Sequence, residues 1–196
     1  MNLKHHFHTA KTYIAAKSDT IIGIAVIIIV AALIVSIVAF IQNSTPRIVY
    51  QPAKACDLLT IEKAREMLGN RTLKSGVSDP VQNENTATSK CGYTDGNPDT
   101  KNLVVAAIVV RSGINDKGVE QNRSEFTSGR PDVDVEIINE LGDSAYYNQA
   151  NGQLNVLDGR NWIIFSYGVG SSTDTNSVEK SVELAKKVLR DQTKRA

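Results

Sequence analysis

Leu103-Val-Val-Ala-Ala-Ile-Val-Val110 is eight apolar residues without a break. The run is short for a helix and rich in β-branched side chains, which suit a pleated surface better than a helical one. A continuous apolar stretch of this length, rather than an alternating one, predicts a central strand covered on both faces. Working outward, Val133-Asp-Val-Glu-Ile137 alternates apolar with charged, the pattern of a strand with one wet face. Gln153 to Leu157 and Trp162 to Val169 flank Asp158-Gly-Arg-Asn161, a hairpin signal. With those four residues as the loop, Leu154 faces Phe165 and Val156 faces Ile163. Ser144 to Tyr147 reads as a further short strand and Asp116 to Phe126 as a short surface helix. Ser78 to Ser89, polar with one proline, reads as a mobile loop.

Helical signals bracket these strands. Thr60 is placed to cap a helix carrying Glu62 in its first turn and ending at Gly69, with Ile61, Ala64, Met67 and Leu68 on one face. Near the C-terminus, Asn176 and Glu179 have capping-box spacing. Val178, Val182, Ala185, Val188 and Leu189 form a helical stripe there, and Lys186, Lys187 and Arg190 sit where the helix dipole favours cations. The order predicts an α+β domain over residues 56–192, an antiparallel β-sheet packed against two main helices.

A single transmembrane helix, residues 20–41, is expected to precede that domain. Between Ile21 and Ile41 only Gly23 and Ser36 interrupt the apolar side chains, and neither is charged. At about 1.5 Å per residue such a helix spans roughly the 30 Å of a bilayer's hydrocarbon core. A secretory signal peptide has a shorter apolar region and a small-residue cleavage site, whereas this stretch ends in Val38-Ala-Phe-Ile41. Lys4, Lys11 and Lys17 precede the helix against Asp19 alone, and Arg47 and Lys54 follow it, which orients the tail of residues 1–19 to the cytoplasm. The expected localisation is therefore the cell membrane, single-pass, with the C-terminal domain extracytoplasmic. Pro46 and Pro52 bias residues 42–55 toward an extended linker. The two cysteines, Cys56 and Cys91, both follow the helix, and an even count outside the cytoplasm reads as a disulfide, the alternative being two buried free thiols.

All three histidines lie in the first eight residues, so from Gln42 onward the chain lacks His-based triads, Cys–His dyads and the usual zinc sites. No metal and no cofactor is expected. Asp95-Gly-Asn-Pro-Asp99 opens like a calcium loop, but Thr100 stands at the turn-glycine position and Ala106 at the bidentate-glutamate position, so it reads as a turn. Asp132, Asp134 and Glu136 place three carboxylates on one strand face, read as a solvated surface. Glu140 and Asp143 are the carboxylates an envelope enzyme would use, a weaker reading than a non-enzymatic one. Gly142 between them permits a turn into the tyrosine strand. Tyr146, Tyr147, Trp162 and Tyr167 are the candidate ligand-contacting residues, since such aromatics are enriched in recognition surfaces. By alternation Tyr146 and Tyr147 point to opposite faces, so at most one belongs to a core. Asn43, Asn70 and Asn122 begin glycosylation sequons, which matter only in a eukaryotic secretory pathway. From Gln42 on there are 19 basic and 20 acidic residues, a balance that gives no reason to expect nucleic acid as a partner.

Ala55-Cys-Asp-Leu-Leu-Thr60 ahead of a helix ending Leu68-Gly69, then Cys91-Gly-Tyr93, then Leu141-Gly-Asp-Ser-Ala-Tyr146 and the C-terminal helix, resemble a bacterial envelope family. Its members are small lipoprotein or membrane-anchored domains of unknown function, common in actinobacteria and related Gram-positive lineages. The resemblance covers roughly residues 54–191 and implies an extracytoplasmic α+β domain with a Cys56–Cys91 bridge and no known catalytic activity. The chain departs from the family in its anchor, a transmembrane helix where many relatives carry a lipidated cysteine, and the family lends no binding residues. The leading expectation is a binding or envelope-assembly module whose partner is an envelope protein, lipid or glycan. The alternative is a small-ligand sensor or carrier with an apolar pocket between sheet and helices.

Overall fold

A computed structural model describes residues 49–170, 172 and 175–190, all within the compact unit Ile48–Ala196. The tail of residues 1–19 and the expected membrane span of residues 20–41 lie outside the described residues. Among those described, no helix is long and apolar enough to cross a membrane.

The strand signals assemble into one antiparallel sheet. The elements run α1 (Ala55–Leu58), α2 (Ile61–Leu68), β1 (Leu73–Gln82), β2 (Thr86–Thr94), β3 (Val104–Gly113), α3 (Asp116–Ser128), β4 (Val135–Ile138), β5 (Ser144–Asn148), β6 (Gln153–Asp158), β7 (Asn161–Val169) and α4 (Val178–Leu189). The seven strands lie in the order β1-β2-β3-β7-β6-β5-β4. The hairpin register follows the sequence pattern, with Leu154 opposite Phe165 and Val156 opposite Ile163. Gly159 takes φ +57° in that turn, where the absence of a Cβ removes the steric cost.

The segment read as a mobile loop is a hairpin instead. Residues 78–82 lie in β1 and 86–89 in β2, with 83–85 as the turn between them, and β2 pairs with β3 from Thr86 to Thr94 without interruption. β1 escapes a hydrophobicity reading because it is an edge strand: Leu73, Val77 and Val81 are exposed, and backbone pairing rather than burial holds it. The small polar residues of β2 are buried but satisfied. Ser89 Oγ accepts from the Ala55 N–H at 2.9 Å and donates to the Ala53 carbonyl at 3.0 Å.

Those bonds also shorten the expected linker. The Tyr50 N–H donates to the Ile114 carbonyl at 2.9 Å, the Tyr50 hydroxyl donates to Asp116 at 2.7 Å, and the Ala53 N–H donates to Ser112 Oγ at 3.0 Å. The chain is thus fastened to the sheet from Tyr50 onward. Just beyond, the Cys56–Cys91 disulfide joins α1 to β2, with 5.1 Å between the Cα atoms.

The main core lies between one face of the sheet, here the inner face, and helices α1, α2 and α4. Ala106, Ile108 and Val110 of β3 and Ile163 and Phe165 of β7 meet Leu59, Ala64, Leu184 and Val188, all at 1% exposure or less. Thr60 caps α2 as expected, its Oγ1 accepting from the Lys63 N–H. The cap of α4 falls one residue later than the spacing suggested. Ser177 Oγ accepts from the Lys180 N–H, while Asn176 donates its side-chain amide to the Gly152 carbonyl at 2.7 Å. A polar side chain beside a helix start serves whichever neighbour its backbone angle reaches, and spacing alone does not choose.

Candidate interaction face

The outer face is treated differently from the inner one. α3 lies across one end of it, and its residues explain the attachment. Asn122, fully buried, donates its amide to the Arg111 carbonyl at 2.9 Å and the Arg160 carbonyl at 3.0 Å, so this sequon asparagine is a structural tie between helix and sheet. Gly118 lets the helix approach the β1–β2 turn, because a Cβ there would stand 1.8 Å from the Asn85 carbonyl oxygen. Phe126 anchors the far end of the helix in a second, smaller cluster with Tyr146 and Leu157, against which Val135 and Trp162 pack. The expected short surface helix therefore carries a core of its own.

The four candidate aromatics divide between the two faces. Tyr146 and Trp162 flank Phe126 on the outer face, with ring centroids 5.0 and 6.0 Å from it. Trp162 donates its indole N–H to Asn155 Oδ1 at 3.0 Å. The Arg111 guanidinium pairs with Glu125 and sits 5.9 Å from the Trp162 ring centroid. Hydrogen bonds from Arg111 and then Gln121 hold the Glu125 carboxyl below the ordinary carboxylate range. Tyr147 and Tyr167 belong to the inner face. Their hydroxyls donate to the Asn176 and Met67 carbonyls, each at 3.2 Å. Burial raises the pKa of both phenols.

Tyr146 and Tyr147 are each only 3% exposed. The expectation that one at most is core is corrected by α3, which gives the outer face enough cover to bury the second ring. Trp162 and Tyr167 remain half-buried.

The carboxylates are dispersed or committed to turns. Asp134 has φ +55° and precedes β4, so it does not share a strand face with Glu136. Asp143 Oδ2 accepts the Gly159 N–H at 2.9 Å, which fastens the β6–β7 turn rather than forming a pair with Glu140. Burial, and secondarily the charge of Asp143, raises the pKa of Asp158. In the β2–β3 loop, Asp95 Oδ1 accepts from the Asn97 and Val104 N–H groups at 3.0 and 3.2 Å, and Asp99 Oδ1 accepts from the Lys101 N–H at 3.0 Å, a chain of side-chain-to-backbone turns. Among the described residues, no group of three or more His, Cys, Asp and Glu is placed to hold a metal ion.

Beyond α3, no helix among the described residues covers the outer face. Val105, Ala107 and Val109 of β3 are half-buried, as are Ile164 and Ser166 of β7, and none of them joins either hydrophobic cluster. Among the described residues, the continuous apolar run that predicted cover on both faces is packed by helices on one face only. Sequence reasoning missed this surface because Val105 and Val109 look the same as Val110 in a list of apolar residues. Ser166 and Gly168 in β7, alternating with Phe165 and Tyr167, were the available signal. No family model matches the chain, and no curated protein or solved structure matches it.

Proposed function

We propose that this chain is a non-enzymatic binding or assembly module, held by the stretch Ile21–Ile41 in a bacterial cell membrane and displayed on the extracytoplasmic side. The open outer face carries the reading. A contiguous apolar sheet surface outside the packed core is the kind of feature that marks an interaction site. The Cys56–Cys91 bridge supports an oxidising compartment, where such bonds persist. The motif resemblance to small envelope-anchored domains points the same way. Trp162, half-buried beside Arg111 at the border of the open rows, is the candidate contact residue best placed for a partner. Tyr147 and Tyr167 are committed to the core.

The pocket reading has less support. The space between sheet and helices is occupied by fully buried side chains, Leu59, Ile108, Leu154, Phe165 and Leu184 among them, and the tyrosine hydroxyls that reach it are bonded to backbone. Two measurements test the proposal. Fractionation of cells expressing the full chain should place it in the membrane, with both cysteines refractory to alkylation until reduced. Cross-linking from a photoreactive residue at Trp162 should then trap a defined envelope component. A chain found in the cytosol with alkylatable thiols overturns the anchored, extracytoplasmic reading.

A further inference from the structure

Asn151-Gly152 is the one Asn-Gly pair in the chain, and the fold puts it in the turn of the β5–β6 hairpin. The ladder closes at Asn148 opposite Gln153, so Gly152 lies outside both strands and its nitrogen belongs to no strand pair. Gln149 and Ala150 beside it are exposed, so water reaches the turn. Gly152 is itself covered, but it has no side chain to hold its nitrogen away from the preceding carboxamide.

The side chain of this asparagine is not held in place. Asn83, Asn97, Asn115 and Asn148 each use Oδ1 to accept a nearby backbone N–H, at distances between 2.7 and 3.0 Å. Asn151 Oδ1 is buried with no hydrogen-bond partner, a costly arrangement that rotation of the carboxamide relieves. Asn122 and Asn161 also have an unpartnered Oδ1, but the residues that follow them lie within α3 and β7, where regular structure fixes the backbone nitrogen. The two Asp-Gly pairs of the chain are restrained as well. Asp95 Oδ1 accepts two N–H groups, and the Gly159 N–H donates to Asp143 Oδ2 at 2.9 Å.

We propose that Asn151 is a site of spontaneous deamidation, and that its product unlatches the start of α4. The Gly152 nitrogen loses its proton to solvent base and attacks Asn151 Cγ. The N–Cγ bond forms, the Cγ–Nδ2 bond breaks, and Nδ2 takes up a proton and leaves as ammonia, closing a succinimide ring. Water then adds to one of the two ring carbonyls. Opening the ring at Cγ gives aspartate at position 151. Opening it at the main-chain carbonyl carbon gives isoaspartate, whose backbone runs through Cβ and Cγ. In sum, water is consumed and ammonia released, with no oxidant or cofactor.

The latch lies immediately downstream. The Gly152 carbonyl accepts the Asn176 side-chain amide at 2.7 Å. Asn176 also fits closely against β7, where a Cβ on Gly168 would stand 1.8 Å from its Oδ1. Its main-chain carbonyl accepts the Tyr147 hydroxyl at 3.2 Å. The next residue, Ser177, donates its N–H to the Tyr167 carbonyl at 3.0 Å and caps α4. An isoaspartate lengthens the main chain just ahead of Gly152 and displaces the carbonyl on which the Asn176 bond ends. The change is covalent, and it is independent of what the domain binds.

The test is ageing of the purified full chain in warm, mildly alkaline buffer, followed by peptide mass mapping and amide exchange. Position 151 should convert from amide to acid many-fold faster than Asn139, Asn148 and Asn155, with isoaspartate among the products. Exchange in the first turn of α4 should then rise several-fold. In Asn151→Gln, where the longer side chain closes a ring far more slowly, ageing should leave both readouts unchanged. Conversion at 151 no faster than at Asn148 overturns the proposal. Conversion at 151 with unchanged exchange in α4 overturns the latch, and so does an equal rise in exchange in aged N151Q.

Discussion

The two faces of this sheet are made from the same strands, residue by residue in alternation, yet they are finished differently. The inner face is closed by three helices and stapled by a disulfide. The outer face is closed at one end by a single helix, and beyond it no helix among the described residues covers it. Tyr146 and Tyr147 show the difference in adjacent positions. One ring lies in a cluster of a few aromatic and aliphatic groups, the other in the main core, and both are buried. Burial alone therefore does not say which face holds the molecule together. The number of elements that meet at a residue does.

Truncating the centre of each face puts that difference to measurement. Phe165 is fully buried under α4, at the middle of the sheet. Phe165→Ala should cost about 3–5 kcal/mol and lower the midpoint of global unfolding in denaturant, since the cavity borders every layer of the core. Breaking the staple comes next. Replacing both Cys56 and Cys91 by Ser opens a loop with a sequence separation of 35, which should cost about 3–4 kcal/mol in the chain-entropy account. The loss should be global, because α1 and the segment from Tyr50 are bound to β2 through that bridge and Ser89. A loss confined to the first residues of the domain would show that the strap folds independently of the sheet.

Phe126→Ala addresses the outer face. Its burial is worth about 1.5–3 kcal/mol. Most of that should appear as local opening of Asp116–Ser128, read by amide exchange, with the exchange of β3 and β7 amides little changed. Equal acceleration in β7 would mean that the two clusters are one cooperative unit and would remove the distinction between the faces.

The inner face was the legible part of the sequence. Helix stripes, the Thr60 cap, the Asp158–Asn161 turn and the register of Leu154 on Phe165 all follow from periodicity and turn chemistry, which act locally. The outer face was not legible, for a physical reason. Whether Val105 or Val109 is covered depends on where α3 lies, and that is set by Gly118 against Asn85 and by Asn122 reaching two carbonyls, contacts between residues distant in sequence. β1 was missed because an edge strand gains its stability from ladder hydrogen bonds, and its apolar residues Leu73, Val77 and Val81 follow no burial pattern and stay exposed. The candidate aromatics were found as residues but not as a site, since only the tertiary structure shows that two of the four are committed by their hydroxyls to the inner core.

The smallest effect concerns the end of the sheet where β6 turns into β7. Asp158 is partly buried there beside Asp143, and burial first, then that neighbouring charge, raises its pKa. For an acid whose pKa is higher folded than unfolded, the protonated form is the one the fold prefers. That contribution is fully present below the unfolded value of about 4 and is lost as pH rises through the folded pKa. At neutral pH the ionised Asp158 is therefore a mild liability. Asp158→Asn should raise stability at pH 7 by less than about 1 kcal/mol, a surface-scale effect. At pH 3, where both states hold the proton, it should change little. Asp143→Asn should relieve the same repulsion but weaken the acceptor of the Gly159 N–H, so its net gain should be smaller. The comparison is made by denaturant titration of the three chains at both pH values. A D158N chain less stable than the parent at pH 7 would mean that the Asp158 charge is compensated in the folded state, and that this end of the sheet is stabilised by the carboxylate instead of strained by it.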